Sequence, residues 1–377
     1  MVWTLGRARG ETWLRYYGPV LGLVALIKGL LLIYGALSYQ ILGDERLASF
    51  AEVFTIWNQW DTPHYLNIAQ YGYQATGPLR ETLVFFPLFP WLSRVLLPLT
   101  GDAFAAALIV ATLASFGLAL AALALYRLDE SLPVARLAVW FLFIFPTSYF
   151  LHIAYTESLF LLLVIASFWA ARTRRWALAG MLGALAGLTR VNGLILVGAL
   201  AVEAWLQYRI ERRWRWHWAW IAIVPLGFGA YLLTNYVVTG DPLRFLAIQH
   251  ERWFKSMTWP WTGIGQTLES FEWRSPAEAQ MVVVQELCFI ALGLAATIGC
   301  AITLRPSYTI WMLGNWLLFT STSFILSTPR YTLTLFPLFL LFARLAQQRG
   351  WYTALTLWSI MFLALFAALF VQGRWAF

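Results

Sequence analysis

Residues 103–126 read AFAAALIVATLASFGLALAALALY, twenty-four residues without one acidic or basic side chain. A helix of that length rises about 36 Å, enough to cross a hydrocarbon core about 30 Å thick. Ten more apolar segments follow the same logic, at roughly 17–39, 134–151, 153–171, 176–189, 192–208, 217–238, 281–303, 307–326, 331–347 and 351–371. The expected fold is an all-α polytopic membrane protein, a bundle of about eleven transmembrane helices forming one domain over residues 1–377.

The composition agrees. Of 377 residues, 60% are hydrophobic and 12% charged, half the charge usual in soluble domains, about 25%. Mean hydropathy is +0.67. A water-soluble enzyme is excluded, and so is a disordered chain, because 17% of the residues are aromatic. The two cysteines, Cys288 and Cys300, lie in one apolar run and build neither a disulfide framework nor a cysteine zinc site.

Arg7, Arg9 and Arg15 precede the first apolar run, which lacks a small-residue cleavage site. It reads as an uncleaved first span with a cytoplasmic N-terminus. That orientation puts 15 Lys and Arg on the cytoplasmic face and 10 on the other, with Lys28 inside the first span. The acids divide 5 to 13. The positive-inside rule is obeyed, and the net charge of +8 reflects topology, not nucleic-acid binding. Trp214, Trp216, Trp218 and Trp220 fall where a headgroup-level aromatic belt is expected.

Two segments on the outer side, 43–102 and 239–280, are too long for simple turns and are the places for chemistry. In the first, Thr62 and Pro63 read as the N-cap and first residue of a short surface helix that Gly72 stops. Asp61 precedes it and His64 lies in its first turn. A carboxylate and an imidazole sharing one water-accessible corner suit general-base chemistry. The same spacing suits a plain helix cap beside an interfacial ring. Arg80 could meet a headgroup phosphate or be an ordinary interfacial cation.

Ionisable groups at membrane level are costly. Glu157 in Tyr155-Thr156-Glu157-Ser158, Arg190 in Thr189-Arg190-Val191-Asn192-Gly193 and Arg330 in Ser327-Thr328-Pro329-Arg330-Tyr331 are placed by the topology on the same face as Asp61 and His64. Each also fits an ion pair that only staples helices. Arg190 sits at the tip of a short hairpin. Glu203 reads as snorkelling to the cytoplasmic interface. The second outer segment is rich in aromatics, among them Trp253, Trp259 and Trp261, which suit membrane anchoring or sugar stacking. Gln249 and His250 are candidate acceptor-side contacts. The pair Phe86-Pro87-Leu88-Phe89 and Phe336-Pro337-Leu338-Phe339 reads as two similar helix starts.

Five blocks, in order, carry a family resemblance. They are Trp60-Asp61-xx-His64-Tyr65-xx-Ile68-Ala69-xx-Gly72-Tyr73, Phe85-Phe86-Pro87-Leu88-Phe89-Pro90, Tyr155-Thr156-Glu157-Ser158-Leu159-Phe160, Arg190-Val191-Asn192-Gly193 and Gly240-Asp241-Pro242-Leu243. Together they resemble the second mannosyltransferase of the glycosylphosphatidylinositol pathway, the PIG-V family. The resemblance covers about residues 52–275, and 327–345 loosely. It implies a GT-C glycosyltransferase that takes sugar from a polyprenyl phosphate on the extracytoplasmic face. The chain is shorter than the family's eukaryotic members, which implies a prokaryotic-type relative in the plasma (inner) membrane, or the endoplasmic reticulum membrane in a eukaryote.

The resemblance assigns the acidic motif to Asp61 and the Arg-x-Asn-Gly motif to Arg190 and Asn192. The resulting expectation is an inverting mannosyltransferase acting on a lipid-linked or glycan acceptor. Asp61 would be the base, with Arg190, Arg330, His64 and Arg80 around the donor phosphate. Trp60, Tyr65, Glu157, Asn192, Gln249, His250 and Tyr331 would line the substrate site. No nucleotide-binding Gly-rich loop is present, which agrees with a lipid-linked donor. No cofactor is required, although Asp61, His64 and Glu157 could supply ligands to a divalent metal. A lipid-linked sugar flippase and a non-catalytic subunit of a glycosylation complex are the alternatives.

Overall fold

Long apolar runs bounded by Gly, Pro and basic residues fold as helices because every backbone polar group is then satisfied within the segment. The computed structural model describes the backbone of residues 2–377 and the side chains from Leu14 onward. Arg7, Arg9 and Glu11, used in the charge count, lie outside the described side chains. Each of the eleven expected spans is helical. Two match to the residue, Ala103–Tyr126 and Trp176–Thr189. Asp102 explains the first boundary, since its carboxylate accepts the Ala105 N–H at 2.7 Å as a helix N-cap.

Six helices among the described residues are long and apolar enough to cross a membrane: Leu14–Gly43, Ala103–Tyr126, Val191–Glu211, Trp216–Thr239, Pro276–Thr303 and Arg349–Val371. The others are shorter or broken. The expected span 134–151 is a helix, Leu132–Ile144, followed by a 3-10 turn, Ser148–Leu151. The span 331–347 is split into Thr328–Thr332 and Pro337–Leu345. The Phe-Pro-Leu-Phe pair starts two helices as expected, Leu88–Thr100 and Pro337–Leu345. This multi-pass membrane protein thus combines half-length helices with full-length ones.

Helix Glu157–Arg172 is central. It packs between Ala103–Tyr126 and Trp176–Thr189. Trp176–Thr189 lies in turn along Val224–Thr239, and Ile195–Glu211 along Pro306–Thr320. The segment 145–156 before Glu157 is irregular yet fully buried. Irregular backbone is tolerated at this depth only where protein supplies its hydrogen bonds. Lys28 Nζ donates to the His152 carbonyl at 2.7 Å, Ser148 Oγ to the Phe143 carbonyl at 2.7 Å, and Ser115 Oγ to the Leu151 carbonyl. The lysine inside the first span is therefore tied down by a backbone carbonyl.

The two ends of Glu157–Arg172 lie about 24 Å apart along the axis, and ion pairs gather at each. At the Arg172 end, Arg172 pairs with Asp129 at 2.6 Å and Arg344 with Glu130 at 2.6 Å. Tyr308 joins the first pair, and Arg136 donates to the Arg15 carbonyl at 2.8 Å. These basic residues all belong to the face counted above as cytoplasmic. Glu203 corrects the sequence reading. It does not snorkel but is 1% exposed, with Arg305 at 2.8 Å and Ser307 Oγ at 3.0 Å on its carboxylate. Trp214, Trp216 and Trp220 are exposed as a belt requires, whereas Trp218 is buried with its ring edge-on to Trp214 at 5.2 Å.

Candidate active site

The opposite end carries the other charged cluster. Surface helix Thr62–Tyr71 begins one residue earlier than the sequence suggested, which moves Asp61 to the N-cap position. Its carboxylate nevertheless accepts no helix N–H. It turns instead to Arg330, whose Nη1 donates to Asp61 Oδ2 at 2.6 Å. The reading of Asp61 as a plain helix cap fails on this geometry. The Asp61 backbone is fixed from below, its N–H donating to the Tyr155 hydroxyl at 3.0 Å while that hydroxyl donates to the Gln59 carbonyl. Gly72 ends the helix at φ +74, a conformation that favours glycine.

Glu157 opens its own helix, where the backbone dipole favours a carboxylate. Its Oε1 receives two guanidinium groups, Arg330 Nε at 2.5 Å and Arg190 Nη1 at 2.5 Å. Asp61, Arg330, Glu157 and Arg190 thus form one chain of alternating charge, drawn from four separate regions. The two carboxylates balance the two guanidinium groups. Exposure separates the acids. The Glu157 side chain is wholly buried, whereas the Asp61 side chain keeps 28% of its surface. Of the two acids only Asp61 reaches the surface, and its Oδ1 has no donor among the described residues.

Each arginine is positioned by its local backbone. Arg190 is extended and ends Trp176–Thr189. The chain then folds back so tightly that a methyl on Gly193 would come within 2.3 Å of the Gly187 nitrogen. Asn192 pins the tip by donating to Asn315 Oδ1 at 2.9 Å. Arg330 lies in the short helix Thr328–Thr332, entered through Ser327 at φ 73. The Glu286 carboxylate, reaching from Gln285–Thr303, accepts the Ser327 N–H at 2.6 Å and the Thr328 N–H at 2.7 Å. The Arg330 guanidinium lies 4.8 Å from the Phe150 ring and 4.7 Å from Tyr155, contacts that favour a desolvated cation.

Aromatics wall the site. Tyr65 is buried edge-on to Phe85, Phe89 and Tyr155. Burial first, and then the charge of Asp61, push its hydroxyl well above the ordinary range, so it stays a neutral hydroxyl. His64 stacks on Phe85 at 4.7 Å and meets Trp253 at 6.2 Å. Tyr331 lies under Arg190 at 5.5 Å. Trp60 stands at the rim, edge-on to Trp375.

Three expected residues lie on the second outer segment's helix, Arg244–Trp253, or against it. Arg80 faces Glu251 at 3.9 Å, with both side chains exposed. Gln249 and the exposed His250 make no hydrogen bond or ion pair to the cluster among the described residues. Sequence reasoning missed the roles of Glu286 and Tyr155 in positioning Arg330 and Asp61. Glu286 carried a legible signal as a carboxylate within the apolar run 281–303. Among the described residues no three His, Cys, Asp or Glu side chains gather as metal ligands.

Comparison with known proteins adds to this geometry. Residues 45–212 match the sequence model of the mannosyltransferase (PIG-V) family, bearing out the resemblance read from the motif blocks. Asp61, Glu157, Arg190 and Asn192 fall within the match, and Arg330 falls outside it. The chain is 34% identical over 155 residues to GPI alpha-1,6-mannosyltransferase 2 of Mus musculus and 36% identical over 155 residues to that of Rattus norvegicus. Each match covers 38% of this chain and 30% of the relative. In structure, the chain is similar to ArnT from Cupriavidus metallidurans, crystallised bound to undecaprenyl phosphate. The TM-score is 0.51 at 15% identity, over 93% of this chain and 76% of that one. The fold is of the GT-C type.

Proposed function

We propose that this chain is an inverting membrane glycosyltransferase that moves mannose from a polyprenyl-phosphate donor to a hydroxyl of a lipid-linked or glycan acceptor. The observation that carries the reading is the half-engaged Asp61. One carboxylate oxygen is held by Arg330 and the other is open on a partly exposed surface. The mannosyltransferase family match over residues 45–212 and the fold shared with a lipid-phosphate-binding protein support it.

The chemistry balances with the chain's own residues. The acceptor hydroxyl gives its proton to Asp61 Oδ1 as its oxygen bonds to the anomeric carbon. The bond from that carbon to the phosphate oxygen breaks, and its electron pair leaves on the phosphate. A single displacement of this kind inverts the anomeric centre. Guanidinium N–H groups of Arg330 and Arg190 not used by Asp61 and Glu157 face the developing charge, the most effective way to lower such a barrier. His64, stacked at the helix start, and Arg80, on the outer segment, are secondary phosphate contacts. Trp60, Tyr65, Asn192 and Tyr331 shape the pocket, and Glu157 holds the two arginines. Gln249 and His250 face the acceptor side.

The charge count supports an extracytoplasmic site with the arginine-rich end in the cytoplasm. A flippase reading is less favoured, because the charged clusters sit at the two ends of the central helix and not at its middle. The deciding experiment gives labelled polyprenyl-phosphate mannose and a crude lipid acceptor fraction to proteoliposomes. Label appearing in a new glycolipid supports the enzyme. Label crossing the bilayer without transfer supports the flippase, and the absence of both transfer and crossing supports the non-catalytic subunit.

A further inference from the structure

The second outer segment brings to the cluster a cation, Lys255, that makes no salt bridge among the described residues, although its charge acts on the buried Glu286 carboxylate. Helix Arg244–Trp253 stops at Phe254, which is left-handed at φ 54. The turn brings the Lys255 ammonium to 5.7 Å from the centre of the Tyr331 ring. The Arg190 guanidinium stands 5.5 Å from the same ring, and Arg330 is the preceding residue. Two cations therefore face one aromatic ring, and a third precedes it in the chain. Arg190 and Arg330 are already bound by Glu157 and Asp61. Lys255 has no salt bridge among the described residues and is only partly exposed.

The placement is built by hydrogen bonds on the next residues. The Ser323 N–H donates to the Ser256 carbonyl at 2.9 Å, and the Ser256 N–H donates to Ser323 Oγ at 3.0 Å. Their hydroxyls meet at 2.8 Å. Thr258 N–H adds a bond to the Ser321 carbonyl at 3.3 Å. Lys255 is thereby fastened to the very connection that leads into Arg330. On its other side, Trp253 packs against His64 and Phe85. The three residues Trp253 to Lys255 thus touch both walls of the site.

A guanidinium–carboxylate chain that is balanced in charge offers a phosphate N–H donors but little net attraction. The donor's phosphodiester carries one negative charge, and the departing phosphomonoester gains a second as the sugar leaves. We propose that Lys255 is a further ligand of the donor phosphate, supplying the net positive charge that the Asp61–Arg330–Glu157–Arg190 chain lacks. This inference rests on the lipid-phosphate donor reading above and adds the residue that would discriminate a phosphorylated lipid from a neutral one.

The test measures binding of undecaprenyl phosphate and of undecaprenol to the full-length protein in nanodiscs. Wild type should prefer the phosphate. Lys255→Gln should weaken phosphate binding by about tenfold or more, as expected for losing one charge-assisted contact, and leave undecaprenol binding unchanged. Lys255→Arg should restore most of the preference. Equal loss for both lipids would assign Lys255 a packing role and overturn the proposal, as would full phosphate preference in Lys255→Gln. A wild type that does not distinguish the two lipids would sink the donor reading and this inference with it, whereas a failure confined to Lys255→Gln leaves the donor reading standing.

Discussion

Arg330 grips Asp61 by one carboxylate oxygen only, Nη1 to Oδ2 at 2.6 Å, while its Nε is spent on Glu157. The geometry orients the Asp61 carboxylate without closing it. A base that must take a proton from an incoming hydroxyl needs that combination of fixed direction and a free lone pair.

Asp61→Asn keeps the shape and a donor–acceptor side chain but cannot accept the proton. Transfer should fall by about 10²-fold or more, the usual range for losing a general base, with donor binding largely kept. Initial rates in proteoliposomes, compared with binding of undecaprenyl phosphate, check this. Wild-type rates in the variant would remove Asp61 from the mechanism.

Glu157→Gln leaves two arginines facing a neutral amide in a fully buried position. Breaking a buried pair from one side costs about 3–5 kcal/mol. The variant should melt at a clearly lower temperature in detergent and lose activity with it. An unchanged melting midpoint would show that the two guanidinium groups find another anion.

Gly193→Ala tests how Arg190 is aimed. The added methyl collides with the Gly187 backbone, an overpacking strain of about 1–3 kcal/mol. The hairpin tip must shift, so KM for the lipid donor should rise more than stability falls. An unaltered KM would mean that the tip's position is immaterial to the donor.

Glu203→Gln, at the far end of the bundle, is the control. It leaves Arg305 facing a neutral amide in place of a carboxylate, so stability should drop by a few kcal/mol, about 3–5. Donor affinity of the folded fraction should match wild type. A selective loss of donor binding would contradict the separation of the two charged ends.

Helices were the most legible part of the sequence. Residues 103–126 and 176–189 are apolar, lack internal proline and are bounded by capping or basic residues, so composition alone locates their ends. The breaks at Pro146 and just before Pro337 were less legible, because each half remains apolar and the run reads as one span. The charged site was half legible. Asp61, Glu157, Arg190 and Arg330 stand out as ionisable groups at membrane level, but their order of pairing depends on tertiary packing. Lys255 lacked any local pattern. Its importance comes from Phe254 turning the chain and from Ser323 fastening it, and neither is a sequence signal.

Arg330 follows Asp61 by 269 residues and Glu157 by 173. A ribosome therefore completes 329 of the 377 residues before the counter-ion shared by both acids exists. During that interval Glu157 waits in the bilayer with Arg190 as its available partner. Arrival of the last helices is the event that locks the nascent protein. A polypeptide cut near residue 275 would insert, fail to mature and be open to quality-control proteolysis, and co-expression of the missing C-terminal piece should rescue it.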